Sequence, residues 1–179
     1  MEERRVLARP LQVRTGSLGS VITGYAAVFN VWSDDLGGFV ERIQPGFFRP
    51  VLGSDVRALW QHDPSYVLGR TANGTLRLAE DAIGLAVEIH PPLTGWATDA
   101  LVSLRRGDVN GMSFGFQVAE DRWEQTQRTL VRAKALYDVS PVTFPAYPQT
   151  SVSVRVRVAA RREWEDLKRR IQIRERMLR

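Results

Sequence analysis

Cysteine is absent from this 179-residue chain, and histidine occurs only twice, at His62 and His90. The first absence excludes disulfides, thiolate catalysis and cysteine metal sites together. The scarcity of histidine leaves few possible pairs of nucleophile and base. The chain also contains no metal-ligand spacing, phosphate-binding loop or dinucleotide fingerprint. The sequence therefore predicts no metal and no cofactor.

Long apolar runs are missing as well. No segment approaches the ~18 consecutive apolar residues of a membrane span, and the N-terminus begins with a charged stretch, Met1-Glu2-Glu3-Arg4-Arg5, rather than an apolar signal core. We therefore expect no membrane association and no secretion.

Positive charge is concentrated at the C-terminus. Residues 161–179 hold eight Lys or Arg and four Asp or Glu, a net of +4 out of the +5 of the whole chain. The first 160 residues are thus close to neutral, at about +1. Such a body is not typical of a nucleic-acid-binding protein.

Short alternating segments indicate a mainly β chain with peripheral helices. Strands are predicted at residues 21–29, 39–43, 56–60, 85–90, 111–118, 129–137, 139–144 and 151–158. Pro64 is expected to end the strand region around 56–60. Asn73-Gly74, between residues 68–71 and 75–79, predicts a hairpin. The predicted architecture is a compact, closed or partly closed β-barrel.

Two helices complete the prediction. One runs from Thr94 as N-cap to Arg106, with Gly107 at its stop and an apolar stripe that indicates packing. The other is a charged, amphipathic C-terminal helix. We expect a barrel domain at residues 1–158 and a basic helix at residues 159–179.

The sequence Gly111-Met112-Ser113-Phe114-Gly115 matches G-x-S-x-G, in which flanking glycines leave a serine hydroxyl accessible. An α/β-hydrolase is disfavoured, because its histidine follows its serine and its motif opens a helix. Here both histidines precede Ser113, and a strand pattern follows it. A serine enzyme on a mostly β scaffold, in which the histidine precedes the serine along the chain, stays open.

A serine nucleophile needs a base, and the base needs an orienting group. His62 is the better candidate base, since it ends a strand at a predicted rim, whereas His90 shares a solvent face with Glu88. For the third group, Asp138 stands in an otherwise apolar strand, where a lone carboxylate needs a partner. Asp63 is the competing candidate, but it is adjacent to His62, and neighbouring side chains in an extended segment point in opposite directions.

Six segments together resemble one family in its own order, across roughly residues 20–155. They are residues 24–30, 41–48, 56–63, 68–71, 110–116 and 136–147. The resemblance is to the prohead proteases of tailed bacteriophages, the capsid-maturation serine proteases of the HK97 type. It implies a barrel fold shared with herpesvirus assembly proteases.

The same resemblance implies site roles, with Ser113 as nucleophile, His62 as base and Asp138 at the family's acidic position. Herpesvirus assembly proteases use a second histidine as third member, but no histidine follows Ser113 here, so an acid must fill that role if any residue does.

The implied function is endopeptidase cleavage of scaffold and major-capsid-protein segments, and of the chain itself. It would take place inside the prohead, in the host bacterial cytoplasm, with a homodimer or higher oligomer possible. The alternative is a catalytically silent module for capsid assembly or scaffold interaction.

Overall fold

The computed structural model describes residues 3–7, 12–16 and 19–143. This part of the chain folds into two β-sheets, one α-helix and two short 3-10 helices. The strands are β1 Glu3–Leu7, β2 Gln12–Gly16, β3 Gly19–Val28, β4 Val40–Ile43, β5 Arg57–Trp60, β6 Asp63–Arg70, β7 Leu76–Glu80, β8 Gly84–Ile89, β9 Gly111–Glu124 and β10 Gln127–Val142. The helices are α1 Gly95–Arg106 and the 3-10 helices Arg49–Val51 and Thr71–Asn73.

The first sheet has the strand order β1-β9-β10-β5-β6, and β4 also pairs with β10. Strands β9 and β10 form a long antiparallel hairpin at its centre, while β4 and β5 run parallel to β10. The two strands predicted at residues 129–137 and 139–144 are thus one strand, β10. Strand β10 pairs with β4, β5 and β9, so its register determines how most strands of this sheet are aligned.

The second sheet is antiparallel, with the order β2-β3-β8-β7. The prediction of a mainly β chain is confirmed, but no closed barrel is found among the described strands. Among the described strands the chain passes between the sheets four times, from β1 to β2, from β3 to β4, from β6 to β7 and from β8 to β9. Each described strand pairs only within its own sheet, so no hydrogen-bonded ladder joins the two sheets into a barrel.

The prediction of a hairpin at Asn73-Gly74 is wrong, because the strands on either side of it belong to different sheets. Gly74 does adopt a left-handed φ of +74°, and the Asn73 side chain accepts hydrogen bonds from Thr75. However, this turn leads from the first sheet into the second, and β6 does not pair with β7. Turn chemistry specifies the local bend, whereas the pairing of the flanking strands depends on distant partners.

Aromatic rings fill the core between the sheets. Phe47 and Phe48, which follow β4, pack edge-on against Phe116 and Phe114 of β9. Helix α1 covers the core with its buried residues Ala97, Ala100, Leu101 and Leu104. Its predicted bounds are confirmed, including the left-handed stop at Gly107.

The predicted strand at 151–158, the C-terminal helix and the domain boundary at residue 158 lie outside the described residues. Within the described part of the chain, no helix combines the length and apolar character that crossing a membrane requires.

Candidate active site

Strands β9 and β10 present one polar face around Ser113. In their antiparallel register, Ser113 lies opposite Ser140 and Gly115 lies opposite Asp138. Directly opposed residues on paired strands share a face of the sheet. Phe114 points to the other face and is fully buried in the core. The register therefore brings a serine, a carboxylate and a second serine together, and Gly115 leaves space opposite the carboxylate.

A β-bulge gives Asp138 its orientation. Leu136 pairs with Phe116 and Asp138 with Gly115, so Tyr137 has no partner on β9. Without this extra residue, strict alternation from buried Leu136 would turn Asp138 into the core. Bulges commonly re-aim side chains beside functional sites in this way.

His62 lies in a tight turn rather than at the strand end that the sequence predicted. Trp60 of β5 pairs with Asp63 of β6, and Gln61 and His62 between them have φ angles of 57° and 60°. Positive φ at both central residues is the mark of a type I′ hairpin turn, which favours Asn and Gly. A left-handed non-glycine residue costs roughly 1–2 kcal/mol. Such strain is typical of residues kept for function.

Gln61 fastens this turn to the end of β10. Its backbone N–H donates to the Pro141 carbonyl at 3.0 Å. Its side-chain amide donates to Thr143 Oγ1 at 2.7 Å and accepts from the Thr143 N–H at 3.2 Å. These three hydrogen bonds hold the His62 backbone against β10, the strand that carries Asp138.

The imidazole and the carboxylate meet at a short contact. His62 Nδ1 lies 2.6 Å from Asp138 Oδ1, and the Ser140 hydroxyl donates to the same oxygen at 2.6 Å. Asp138 is only 4% exposed, so these partners compensate for the cost of burying its charge. When Nδ1 carries the ring's proton and donates a hydrogen bond to the carboxylate, the imidazole is neutral and Nε2 is free to accept another proton.

Two buried side-chain polar atoms within the described ranges lack any hydrogen-bond partner, and they are His62 Nε2 and Ser113 Oγ. Buried polar atoms in native proteins are nearly always paired, so each exception needs a specific explanation. Both belong to the residues that the sequence predicts as base and nucleophile. An unpaired acceptor nitrogen and an unpaired hydroxyl are the two groups that general-base activation of a serine requires.

The competing candidates lie in ordinary surroundings. Asp63 accepts a hydrogen bond from the Ser65 N–H at 2.8 Å, the role of a turn-capping residue. His90 Nε2 lies 2.8 Å from Glu88 Oε1, and its side chain is 42% exposed. The structure brings His62 and Asp138 together and leaves His90 in a surface contact with Glu88. The catalytic roles of His62 and Asp138 stay predictions.

Sequence reasoning missed Ser140 and Gln61. Ser140 carried a usable signal, because a residue two positions from Asp138 in a strand lies on the same face. Gln61 carried none, since its contacts join residues 82 positions apart.

No group of three or more potential metal ligands occurs among residues 3–7, 12–16 and 19–143.

Comparison with known proteins gives one family and one curated relative. A family model described as Caudovirus prohead serine protease matches residues 9–165. The prohead protease of Enterobacteria phage HK97 is 34% identical over 141 residues, which cover 74% of this chain and 59% of that relative. The chain thus matches less than two thirds of the relative's length. No solved structure matches.

Proposed function

The chain belongs to the Caudovirus prohead serine protease family, and from this premise we propose that it is a serine endopeptidase of prohead maturation. In this proposal Ser113 is the nucleophile, His62 the general base and Asp138 the residue that orients the imidazole.

The observation that carries the proposal is the pair of unsatisfied buried atoms, Ser113 Oγ and His62 Nε2, beside a His62–Asp138 contact of 2.6 Å. A structural histidine or serine would use its polar atoms in the fold. Here the atoms left unused are those that a serine protease needs for its reaction with a peptide.

The chemistry follows from this arrangement. Ser113 Oγ attacks the scissile carbonyl carbon while its proton passes to His62 Nε2. The tetrahedral intermediate expels the amine, which takes that proton and leaves an acyl-enzyme ester on Ser113. Water then attacks the ester with His62 again as base, which releases the acid and restores the hydroxyl. Asp138 stabilises the imidazolium in both halves, and Ser140 holds the carboxylate.

The substrates proposed are segments of the major capsid protein and of its scaffold, together with the chain itself. The printed name of the relative, a prohead protease, supports this class of substrate. The site of action would be the prohead interior in the host cytoplasm, and a homodimer or higher oligomer is part of the same proposal.

Access to the nucleophile limits the choice of sample. Ser113 is fully buried, so a peptide reaches its hydroxyl only after neighbouring groups move aside. The test therefore uses the full chain co-expressed with its cognate scaffold and capsid protein, in the particles where cleavage would occur.

Ser113→Ala and His62→Ala should each abolish capsid-protein processing on a gel, and a fluorophosphonate should form an adduct on Ser113 of the unmodified chain. Ser103→Ala and His90→Ala are the matched controls and should process normally. Undiminished cleavage by Ser113→Ala would remove Ser113 as nucleophile. A lack of adduct in assembled particles would instead favour the catalytically silent assembly module.

A further inference from the structure

A pocket of about 300 Å³ lies directly beside the candidate base and orienting acid. His62 and Asp138 form part of its wall. The rest is mainly apolar and comes from Leu59, Pro64, Val67 and Tyr137, together with the cationic Arg57. The pocket is therefore continuous with the candidate active site but does not include Ser113.

Irregularities in two strands form this pocket. On β6, Val67 pairs with Leu59 and Asp63 with Trp60, so residues 64–66 have no partner on β5. Pro64 has no N–H to give to a ladder, and an edge strand tolerates this. On β10, the bulge at Tyr137 turns that ring toward the same side as Asp138.

Apolar groups of the pocket remain accessible to solvent. Val67 is 41% exposed and Tyr137 is 43% exposed, although both are large hydrophobic side chains. Concave sites lined by apolar side chains with a few polar groups are the usual form of ligand pockets. At about 300 Å³ this pocket lies at the small end of that class, which suits one side chain.

The charges around the pocket exclude an acidic occupant. The Asp138 carboxylate is part of the wall and would repel a second carboxylate. Arg57 also lines the pocket, but its guanidinium forms an ion pair with Asp55 at 3.0 Å and donates to the Asp55 carbonyl at 2.8 Å. Its charge is thus already engaged within the protein.

The position of the pocket indicates which part of a peptide could enter it. Leu59 on β5 and Ser113 on β9 lie on strands separated only by β10. Two inter-strand steps amount to roughly 10 Å. An extended peptide advances about 3.3 Å per residue, so this span corresponds to about three residues.

We propose that this pocket is a specificity subsite, which binds one large apolar side chain of the peptide substrate within three residues of the scissile bond. The proposal rests on the proposed function, because it assumes that Ser113 cleaves a peptide.

The test uses particles in which the full chain is co-expressed with its capsid protein, and maps the new termini by mass spectrometry. We expect an aromatic or branched aliphatic residue within three positions of each cleaved bond. A capsid-protein variant with Gly at that position should be processed about tenfold more slowly or worse, as is usual for a side chain lost from an apolar pocket.

Val67→Trp fills the pocket and Tyr137→Ala widens it, so each should reduce the ratio of processing rates between the apolar and Gly substrates. Because a ratio is measured, a general loss of activity does not imitate the effect, and two variants guard against misfolding of one. Ile83→Trp is the matched control, since Ile83 is 40% exposed and lies in the connection from β7 to β8 in the other sheet. It should leave the ratio unchanged.

Cleavage sites without a shared apolar residue would overturn the subsite, as would an unchanged ratio in both pocket variants. A fluorophosphonate adduct on Ser113 in the same particles separates the two proposals. With the adduct present and the ratio unchanged, only the subsite fails. Without the adduct, the proposed function fails.

Discussion

Asp138→Asn should slow acylation of Ser113 strongly but should keep the site intact. Both hydrogen bonds to the carboxylate, from His62 Nδ1 and Ser140 Oγ, go to the single atom Oδ1. An asparagine that places its amide oxygen at the Oδ1 position preserves both bonds. The change then removes mainly the negative charge.

The loss of rate on removing that charge follows from its attraction to the imidazolium. At about 4 Å between charge centres and an effective dielectric constant of ~20, attraction between imidazolium and carboxylate is worth about 4 kcal/mol. At 1.36 kcal/mol per tenfold in rate, this corresponds to nearly 10³-fold. In the well-studied Ser-His-Asp site, where asparagine also imposes the wrong imidazole tautomer, the loss is about 10⁴-fold. We expect a loss of about 10²- to 10³-fold here.

Asp138→Ala should be worse than Asp138→Asn. It removes the acceptor altogether and leaves His62 Nδ1 and Ser140 Oγ without their partner in a buried site. Each unsatisfied buried group costs about 1–3 kcal/mol. We therefore expect a lower melting temperature for the alanine variant and a near-normal one for the asparagine variant.

The assay is the rate of fluorophosphonate addition to Ser113 in assembled particles, followed by mass spectrometry, with thermal melting of each variant as the control for folding. Full reactivity of Asp138→Asn would refute the role of the carboxylate. Asparagine as damaging as alanine would refute the argument from the shared Oδ1 atom.

Two further predictions concern neighbouring hydrogen bonds. Ser140→Ala should slow Ser113 acylation about tenfold, the scale of one hydrogen bond to a charged group, and should shift the His62 Nδ1 proton resonance in NMR spectra. Ser140→Thr retains the hydroxyl and should restore both, whereas an unmoved resonance in Ser140→Ala would leave Ser140 a purely structural role. Hydrogen bonding from Arg70, against the opposing effect of desolvation, lowers the pKa of Asp55 from 3.8 to about 2, with smaller contributions from the charges of Arg57 and Arg70. Its stabilisation is therefore complete above pH 3.8 and is lost as the pH falls through about 2. In Arg70→Ala, carboxyl NMR titration should show the Asp55 pKa closer to 3.8, and a value still near 2 would contradict the assigned cause.

Local pattern was sufficient for several features of this protein. Alternation predicted the mainly β character, and the apolar stripe with its glycine stop predicted α1 at Gly95–Arg106. The absence of cysteine and the presence of only two histidines reduced the candidate chemistry to a serine with His62 or His90. The predictions of the β character and of α1 succeed because backbone preferences and side-chain periodicity act over a few residues, whereas the chemistry of the serine stays a prediction.

Tertiary structure alone decided how those residues meet. His62 and Asp138 are 76 positions apart, and their contact depends on a strained turn at one end and on the unpaired Tyr137 at the other. The same long-range pairing placed β6 and β7 in different sheets, where the Asn73-Gly74 pattern predicted a hairpin. A bulge or a strand partner is selected by the packing of distant segments around a common core. The short-range preferences of the chain therefore specify its elements and its candidate site residues, whereas their register and their contacts arise only in the folded protein.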